Sequence, residues 1–161
     1  MSAARPPEGA PANPDPAVEI LVVEDNPYDL EMTLRGLNTA HLANHVHVAR
    51  DGEEALEFIF CEGRYADRRI EAPPRVVLLD LKLPKIDGLE VLARMKGDPR
   101  TQAIPVVMLT SSQEQVDLVR SYALGVNSYI VKPVNFESFV KAVQELGFYW
   151  LLLNQPPAAA G

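Results

Sequence analysis

The chain has 161 residues, of which 47% are hydrophobic and 23% charged, a composition typical of one globular domain. The formal net charge of −7 excludes the broad basic surface that binds nucleic acid or anionic lipid. The single cysteine and the absence of a basic-then-apolar leader favour a cytoplasmic location, and no apolar run approaches the roughly 20 residues of a membrane span.

Short apolar runs alternate with segments of helical spacing along most of the chain. Residues 1–17 contain five prolines and few large apolar side chains, so we expect a disordered tail there. Residues 18–153 show the alternation typical of βαβ units, which predicts a doubly wound parallel sheet with helices on both faces. The expected strands are residues 20–23, 46–49, 76–79, 106–109 and 127–131, and the expected helices are 28–38, 52–61, 88–97, 113–124 and 135–152. Residues 154–161 are expected to form a flexible tail.

Polar residues stand directly after four of the predicted strands. They are Glu24 and Asp25 after the first strand, Asp80 after the third, Thr110 after the fourth and Lys132 after the fifth. In a doubly wound sheet these positions meet at the carboxyl edge, where ligands bind. Carboxylates a few Å apart repel one another unless a cation neutralises them, and carboxylates without imidazole or thiolate favour Mg²⁺ or Mn²⁺ over zinc.

This set of residues predicts phosphoryl chemistry. Lys132 can hold a phosphoryl oxygen as a point charge, and Thr110 can hold another as a hydrogen-bond donor. Asp80 is the candidate nucleophile because it lies alone at the end of the central strand, whereas Glu24 and Asp25 are adjacent and suit metal binding. The residues alone leave the opposite assignment open.

Five motifs, in order along residues 19–150, resemble those of receiver domains of two-component response regulators, the CheY-like family. They are Val-Glu-Asp-Asn-Pro at 23–27, Leu-Leu-Asp-Leu-Lys-Leu-Pro at 78–84, Asp-Gly at 87–88, Met-Leu-Thr-Ser at 108–111 and Tyr-Ile-Val-Lys-Pro at 129–133. The resemblance implies the flavodoxin-like fold, a five-stranded parallel sheet with strand order 2-1-3-4-5.

The resemblance also implies a role for each residue at the carboxyl edge. Asp80 would be the phosphoacceptor, and Lys132 would contact its phosphoryl group. The metal would be bound by Asp80 and the Lys82 backbone carbonyl as well as by Glu24, a common variant of Asp, and Asp25. The position of Lys82 two residues after Asp80 would place its side chain near the phosphoryl group, and we expect it to tune phosphoryl lifetime. Such a receiver is not an enzyme, although it assists its own phosphorylation and dephosphorylation.

Three positions match the switch of the family. Thr110 would be the switch hydroxyl and Tyr129 the switch aromatic, and the peptide bond between Lys132 and Pro133 would be cis. Phosphorylation would draw Thr110 inward and let Tyr129 turn into the space it leaves, which changes the surface formed by helix 4, strand 5 and helix 5.

The long connection at residues 62–74 and the aromatic C-terminus most resemble response regulators of bacterial and cyanobacterial phytochrome histidine kinases. The resemblance implies a histidine kinase, of phytochrome type, as phosphoryl donor, with a receiver of a non-phytochrome kinase as the alternative. Because the chain ends about ten residues after helix 5, we expect a stand-alone receiver that signals by protein contact.

Two other classes of protein compete with this reading. A phosphohydrolase of the haloacid dehalogenase type also uses an Asp after a strand, but it needs a second Asp two residues later, where this chain has Lys82. A flavin carrier of the same fold needs a phosphate-binding Gly/Ser/Thr loop after the first strand, where this chain has Glu24 and Asp25.

Apolar residues outside the expected core predict a homodimer. On helix 4, Leu118 and Tyr122 lie beside the core stripe, and the last helix continues into more apolar residues than one face can bury: Phe148, Tyr149, Trp150 and Leu152. The expected interface is helix 4, strand 5 and helix 5, with a C-terminal segment folded back on its own domain as the alternative.

Several residues receive structural interpretations. His41, His45 and His47 are expected to be surface histidines of an edge strand, with a metal pair as the alternative. Cys61 is expected to be a buried or half-buried thiol without a role. The connection at 62–74 is expected to be a solvated loop with a basic patch, Arg64, Arg68 and Arg69, for which contact with an acidic kinase surface is the alternative.

Overall fold

The computed structural model describes residues 20–39, 46–122, 124–126 and 128–146. Its elements in chain order are β1 (Ile20–Val23), α1 (Pro27–Thr39), β2 (Val46–Ala49), α2 (Gly52–Phe60), a 3-10 turn (Gly63–Tyr65), β3 (Val76–Asp80), α3 (Gly88–Lys96), β4 (Val106–Thr110), α4 (Gln113–Ser121), β5 (Ser128–Val131) and α5 (Phe136–Leu146). No described helix is both long and apolar enough to cross a bilayer.

The predicted elements agree with these bounds to within a few residues. β3 and β4 each extend one residue further than predicted, so Asp80 and Thr110 are the last residues of their strands. Helix α4 ends at Ser121, before the predicted residue 124. The two predicted tails and the extension of the last helix beyond residue 146 lie outside the described residues and stay predictions.

The five strands are parallel and lie in the order β2-β1-β3-β4-β5, which confirms the order that the family resemblance implied. In the register, Val23 pairs with Leu79, and Asp80 pairs with Leu109. Thr110 pairs with Val131 at the end of β5. The carboxyl ends of the four strands β1, β3, β4 and β5 are therefore level at one edge of the sheet.

Alternate strand residues fill two hydrophobic cores, one on each face of the sheet. The first core packs against α2, α3 and α4 and includes Leu79 from β3 and Phe58 from α2. The second packs against α1 and α5 and includes Leu78 from β3 and Phe139 from α5. Helices thus cover both faces, as predicted, and every residue of β1, β3 and β4 is buried for that reason.

Side-chain caps begin the helices that follow the strands. Asp51 accepts a hydrogen bond from the Glu54 N–H at the start of α2, and Asp87 begins α3 in the same way. At the start of α1, Asn26 Oδ1 accepts from the Asp29 N–H at 2.9 Å. Each cap satisfies an N–H that the helix itself leaves unpaired, so the chain enters its helix directly from the carboxyl edge.

The connection after α2 is mostly exposed, as the sequence predicts, but part of it packs against α2. Tyr65 packs edge-on against Phe58, with ring centroids 5.1 Å apart. The Arg68 guanidinium lies 3.7 Å from the centroid of the Phe58 ring and donates to the Phe58 carbonyl. Arg64 bonds Glu57 at 2.6 Å. Two of the three arginines of the predicted basic patch thus contact α2, Arg68 over an aromatic ring and Arg64 beside a carboxylate, while Arg69 is exposed near Glu71.

His47 lies on the edge strand β2, as predicted, but it is half-buried rather than fully exposed. Its ring stacks on Phe58 at a centroid distance of 4.3 Å, and its Nε2 lies 3.0 Å from the Tyr65 hydroxyl. That hydroxyl donates to Glu54 Oε2 at 2.5 Å, so His47 Nε2 carries the proton that the Tyr65 oxygen accepts. Burial lowers the pKa of His47. The other two histidines of the cluster lie outside the described residues.

Cys61 is half-buried at the end of α2, in agreement with the sequence interpretation. Burial raises the pKa of its thiol, which keeps it in the unreactive protonated form.

Candidate functional site

Three carboxylates meet at the carboxyl edge of the sheet. Glu24 and Asp25 follow β1, and Asp80 ends β3. One oxygen from each lies within 4.8 Å of the others, with Glu24 and Asp80 buried and Asp25 exposed. The convergence predicted from the strand ends is thus present in the fold, and the exposed Asp25 leaves the cluster open to solvent.

Lys132 lies over this cluster. Its Nζ is 3.0 Å from Glu24 Oε1, 3.2 Å from Asp80 Oδ2 and 3.0 Å from Asp29 Oδ2. Burial alone would lower the pKa of Lys132, but its contacts with these carboxylates raise that pKa above the usual value. The ammonium is therefore charged at every physiological pH and is aimed at the end of β3.

One ammonium does not balance the negative charge of the cluster. Burial, together with the neighbouring Asp80, raises the pKa of Glu24 from its usual 4.5 to about 7, even though Lys132 acts in the opposite direction. Glu24 Oε1 lies near Lys132 as an ion pair, yet it accepts no hydrogen bond from the described part of the chain. Because this one ammonium is shared by Glu24, Asp80 and Asp29, the cluster keeps excess negative charge that favours the binding of a further cation.

The donor set fits a hard divalent cation. It consists of carboxylate oxygens, and no described histidine or cysteine belongs to the cluster. Oxygen ligands of this kind suit Mg²⁺ or Mn²⁺. Lys82, whose carbonyl the family resemblance adds to the ligands, follows two residues after Asp80 and donates its N–H to Asp80 Oδ1 at 3.4 Å.

Thr110 ends β4, and Tyr129 lies on the adjacent strand β5, where it pairs with Met108. Thr110 is fully buried at the end of β4, and its Oγ1 has no hydrogen-bond partner among the described residues. Tyr129 is half-buried, donates its O–H to the Val126 carbonyl at 3.0 Å, and lies 5.0 Å below the Arg120 guanidinium of α4. The Lys132–Pro133 peptide bond is cis.

The loop from β3 to α3 is packed closely against the site. A Cβ atom on Gly88 would lie 2.3 Å from the Asp80 carbonyl oxygen, so only glycine fits there. The Gly88 N–H donates to the Leu81 carbonyl at 2.9 Å. Lys85, with a positive φ of 69°, lies 3.5 Å from Asp51 Oδ2 through its Nζ. The segment after Asp80 is thereby held against the start of α2.

Asp29 is a site residue that the sequence reasoning missed. It lies in the first turn of α1, and its Oδ2 accepts a hydrogen bond from Lys132 across 103 positions of sequence. The available signal was indirect: Asn26-Pro27 predicts a helix start at the carboxyl edge, which places an acid in the first turn near the site.

A parallel sheet of this order, with an acidic cluster and a lysine at its carboxyl edge, defines a receiver domain. The model of the response regulator receiver domain family matches residues 20–144, and the chain belongs to that family. Membership removes the phosphohydrolase and the flavin carrier from consideration.

Within this family, the chain is similar over most of its length to several response regulators. The solved structure of the bacteriophytochrome response regulator AtBRR is 58% identical, covers 88% of this chain and 100% of its own, and has a TM-score of 0.80. Response regulator Rcp1 of Synechocystis sp. is 39% identical over 145 residues, 90% of this chain and 97% of Rcp1. The probable methanogenesis regulatory protein FilR2 of Methanothrix harundinacea is 41% identical over 146 residues, 91% of each chain.

Rcp1 has also been solved in a Mn²⁺-bound form, which matches this fold with a TM-score of 0.66 at 39% identity, covering 86% of this chain and 98% of that one. The chain is a receiver domain homologous to bacteriophytochrome response regulators, and its acidic cluster is compatible with a divalent metal.

Proposed function

We propose that this chain accepts a phosphoryl group on Asp80 from a histidine kinase of phytochrome type and transmits the signal through its α4-β5-α5 surface. The observation that carries the proposal is the placement of Asp80. It ends the central strand, shares an open acidic cluster with Glu24 and Asp25, and lies 3.2 Å from the Lys132 ammonium.

Each residue of the cluster has a part in the transfer. Glu24, Asp25 and Asp80, with the Lys82 carbonyl, would hold Mg²⁺, which neutralises charge on the phosphoryl oxygens. An Asp80 carboxylate oxygen forms the new bond to phosphorus while the phosphorus–nitrogen bond of the kinase phosphohistidine breaks, and the electron pair stays on the imidazole. Lys132 donates to a phosphoryl oxygen from a position it already occupies, so little reorganisation is needed.

Switching follows from the unpaired hydroxyl of Thr110. Phosphorylation takes the charge at Asp80 from about −1 to about −2 and adds acceptor oxygens. Thr110 Oγ1 is buried without a partner in the described structure, so a hydrogen bond to the phosphoryl group costs it no existing one. Its movement would leave space for Tyr129, which contacts Arg120 of α4 and so couples the site to that helix.

A homodimer through the same surface is part of the proposal. Leu118 and Tyr122 on α4 are 48% and 54% exposed, whereas their neighbours Val116 and Val119 are buried. Apolar side chains beside an already satisfied core stripe favour a second interface. The C-terminal residues predicted to join it, Phe148, Tyr149, Trp150 and Leu152, lie outside the described residues.

The phytochrome pairing rests on the 58% identity to AtBRR. The chain is also 41% identical to FilR2, a probable methanogenesis regulatory protein, so a histidine kinase that is not of phytochrome type is the second candidate donor. Either kinase uses ATP, so the encounter is proposed to occur in the cytoplasm.

Phosphotransfer tests the proposal. An autophosphorylated phytochrome histidine kinase is mixed with the wild-type protein and with Asp80→Asn, in Mg²⁺ and in EDTA, and the products are separated on a sizing column. We expect label on the wild type in Mg²⁺ alone and an elution shift to dimer. Label on Asp80→Asn would contradict the acceptor assignment, and label on neither protein would contradict the phytochrome pairing.

A further inference from the structure

Asp29 is a fourth carboxylate at the site, distinct from the three that converge. Its Oδ2 lies 3.0 Å from Lys132 Nζ with hydrogen-bond geometry, and its side chain is 33% exposed. The backbone N–H of Asp29 donates a hydrogen bond to Asn26 Oδ1 at 2.9 Å, which fixes this turn of α1. The contact joins α1 to the segment after β5.

The partners of Lys132 differ in what else they can bind. A lysine ammonium has three N–H donors, and Glu24, Asp29 and Asp80 are the carboxylates within 3.2 Å among the described residues. Glu24 and Asp80 also belong to the acidic cluster, whereas Asp29 does not. A cation or phosphoryl group bound at the cluster would therefore compete with Lys132 for Glu24 and Asp80, and would leave its contact with Asp29 in place.

We propose that Asp29 is a positioning residue for Lys132. Its hydrogen bond holds the ammonium over Asp80 while the cluster is loaded with a cation, and this raises the rate at which Asp80 takes up a phosphoryl group. The inference rests on the proposed function. A lysine side chain is long and flexible, so without Asp29 its ammonium would be anchored only by groups that the cation and the phosphoryl group engage.

Two substitutions separate positioning from charge. Asp29→Asn keeps an oxygen that accepts from Lys132 but removes the negative charge, whereas Asp29→Ala removes both. Glu31→Ala is the matched control, because Glu31 is an exposed acid on the same helix that pairs with Arg35. Each protein is phosphorylated with acetyl phosphate in Mg²⁺, and the rate is measured over a range of donor concentrations.

If Asp29 positions the Lys132 ammonium, its loss should lower the phosphorylation rate even at saturating acetyl phosphate. We expect Asp29→Ala to lower this rate about tenfold, as for the loss of one charge-assisted hydrogen bond that orients a donor. Asp29→Asn should stay near the wild-type rate, as should Glu31→Ala. An Asp29→Ala rate equal to wild type, or an equal loss in Asp29→Asn, would overturn the inference.

A second readout does not depend on phosphorylation. In Mg²⁺, the Lys132 ammonium should give a slowly exchanging nitrogen-15 NMR signal in wild type and Asp29→Asn that disappears in Asp29→Ala. If the wild-type protein takes no phosphoryl group from any donor, the proposed function fails while this spectrum still decides the role of Asp29. A signal that persists in Asp29→Ala would show that Asp29 does not hold Lys132.

Discussion

Gly52→Ala tests how the loop after Asp80 is held in place. Gly52 is the buried first residue of α2, and its N–H donates to the Pro84 carbonyl at 3.3 Å. A Cβ at this position would lie 1.8 Å from the Ile86 carbonyl oxygen and 2.7 Å from its carbon. Both atoms are backbone, so no side-chain rotation relieves the overlap.

The size of the effect follows from that distance. The Ile86 oxygen must retreat from 1.8 Å to at least 3.0 Å, a displacement of more than 1 Å in the loop that directly follows Asp80 and includes Lys82. Overpacking of this kind, with the weakened bond to Pro84, costs about 3 kcal/mol. A domain of roughly 130 residues would lose about 10 °C in melting temperature. A misplacement of about 1 Å at the metal-binding loop would also slow phosphorylation by about 100-fold.

The assay combines thermal unfolding by circular dichroism with phosphorylation by acetyl phosphate at a temperature where both proteins are folded. Mg²⁺ should raise the melting temperature of the wild type, by mass action, more than that of Gly52→Ala. Gly97→Ala is the control, because a Cβ there would lie 3.2 Å from its nearest neighbour, in its own helix, and Gly97 has negative φ. A Gly52→Ala protein with wild-type stability and wild-type Mg²⁺ response would refute this account of the loop.

Three further predictions concern single side chains. Thr110→Val removes a buried hydroxyl that lacks a partner in the described structure, so it should raise the free energy of unfolding by about 1 kcal/mol while abolishing the phosphorylation-dependent elution shift; destabilisation would mean that the hydroxyl is already bonded. Tyr65→Phe removes the donor to the Glu54 carboxylate and should cost about 2 kcal/mol by urea unfolding, and a change below about 0.5 kcal/mol would contradict the contact. Because burial lowers the pKa of His47 below 6.5, its contribution to stability is full above pH 6.5 and is lost as the pH falls from 6.5 to the folded-state pKa. His47→Gln should therefore lose less stability than wild type between about pH 7.5 and pH 5.5, and parallel pH profiles would count against a lowered pKa of the half-buried imidazole.

The sequence predicts the fold and the acidic cluster well because both depend on short-range patterns. Buried parallel strands read as continuous apolar runs, so their ends are marked by the first polar residue. Glu24 and Asp80 stand at such ends, and strand parallelism alone brings them to one edge.

Other contacts are not visible in periodicity. Whether Asp29 reaches Lys132 depends on the angle at which α1 packs, which no local pattern encodes. The polar contacts of His47, Tyr65 and Arg68 form because the segment after α2 folds back over Phe58. The composition of this segment predicts a solvated loop, which most of it is, but composition does not reveal which ring a guanidinium will cover.

The most direct test of the central claim is to locate the phosphoryl group. The protein is incubated with acetyl phosphate and Mg²⁺, its intact mass is measured, and a second portion is reduced with borohydride, which converts a phosphoaspartate to homoserine, before peptide mass spectrometry. We expect one phosphoryl group per chain and homoserine at position 80, both absent in EDTA. Homoserine at position 25 or 29 instead, or an adduct that forms equally without a divalent cation, would contradict the assignment of Asp80 as the acceptor.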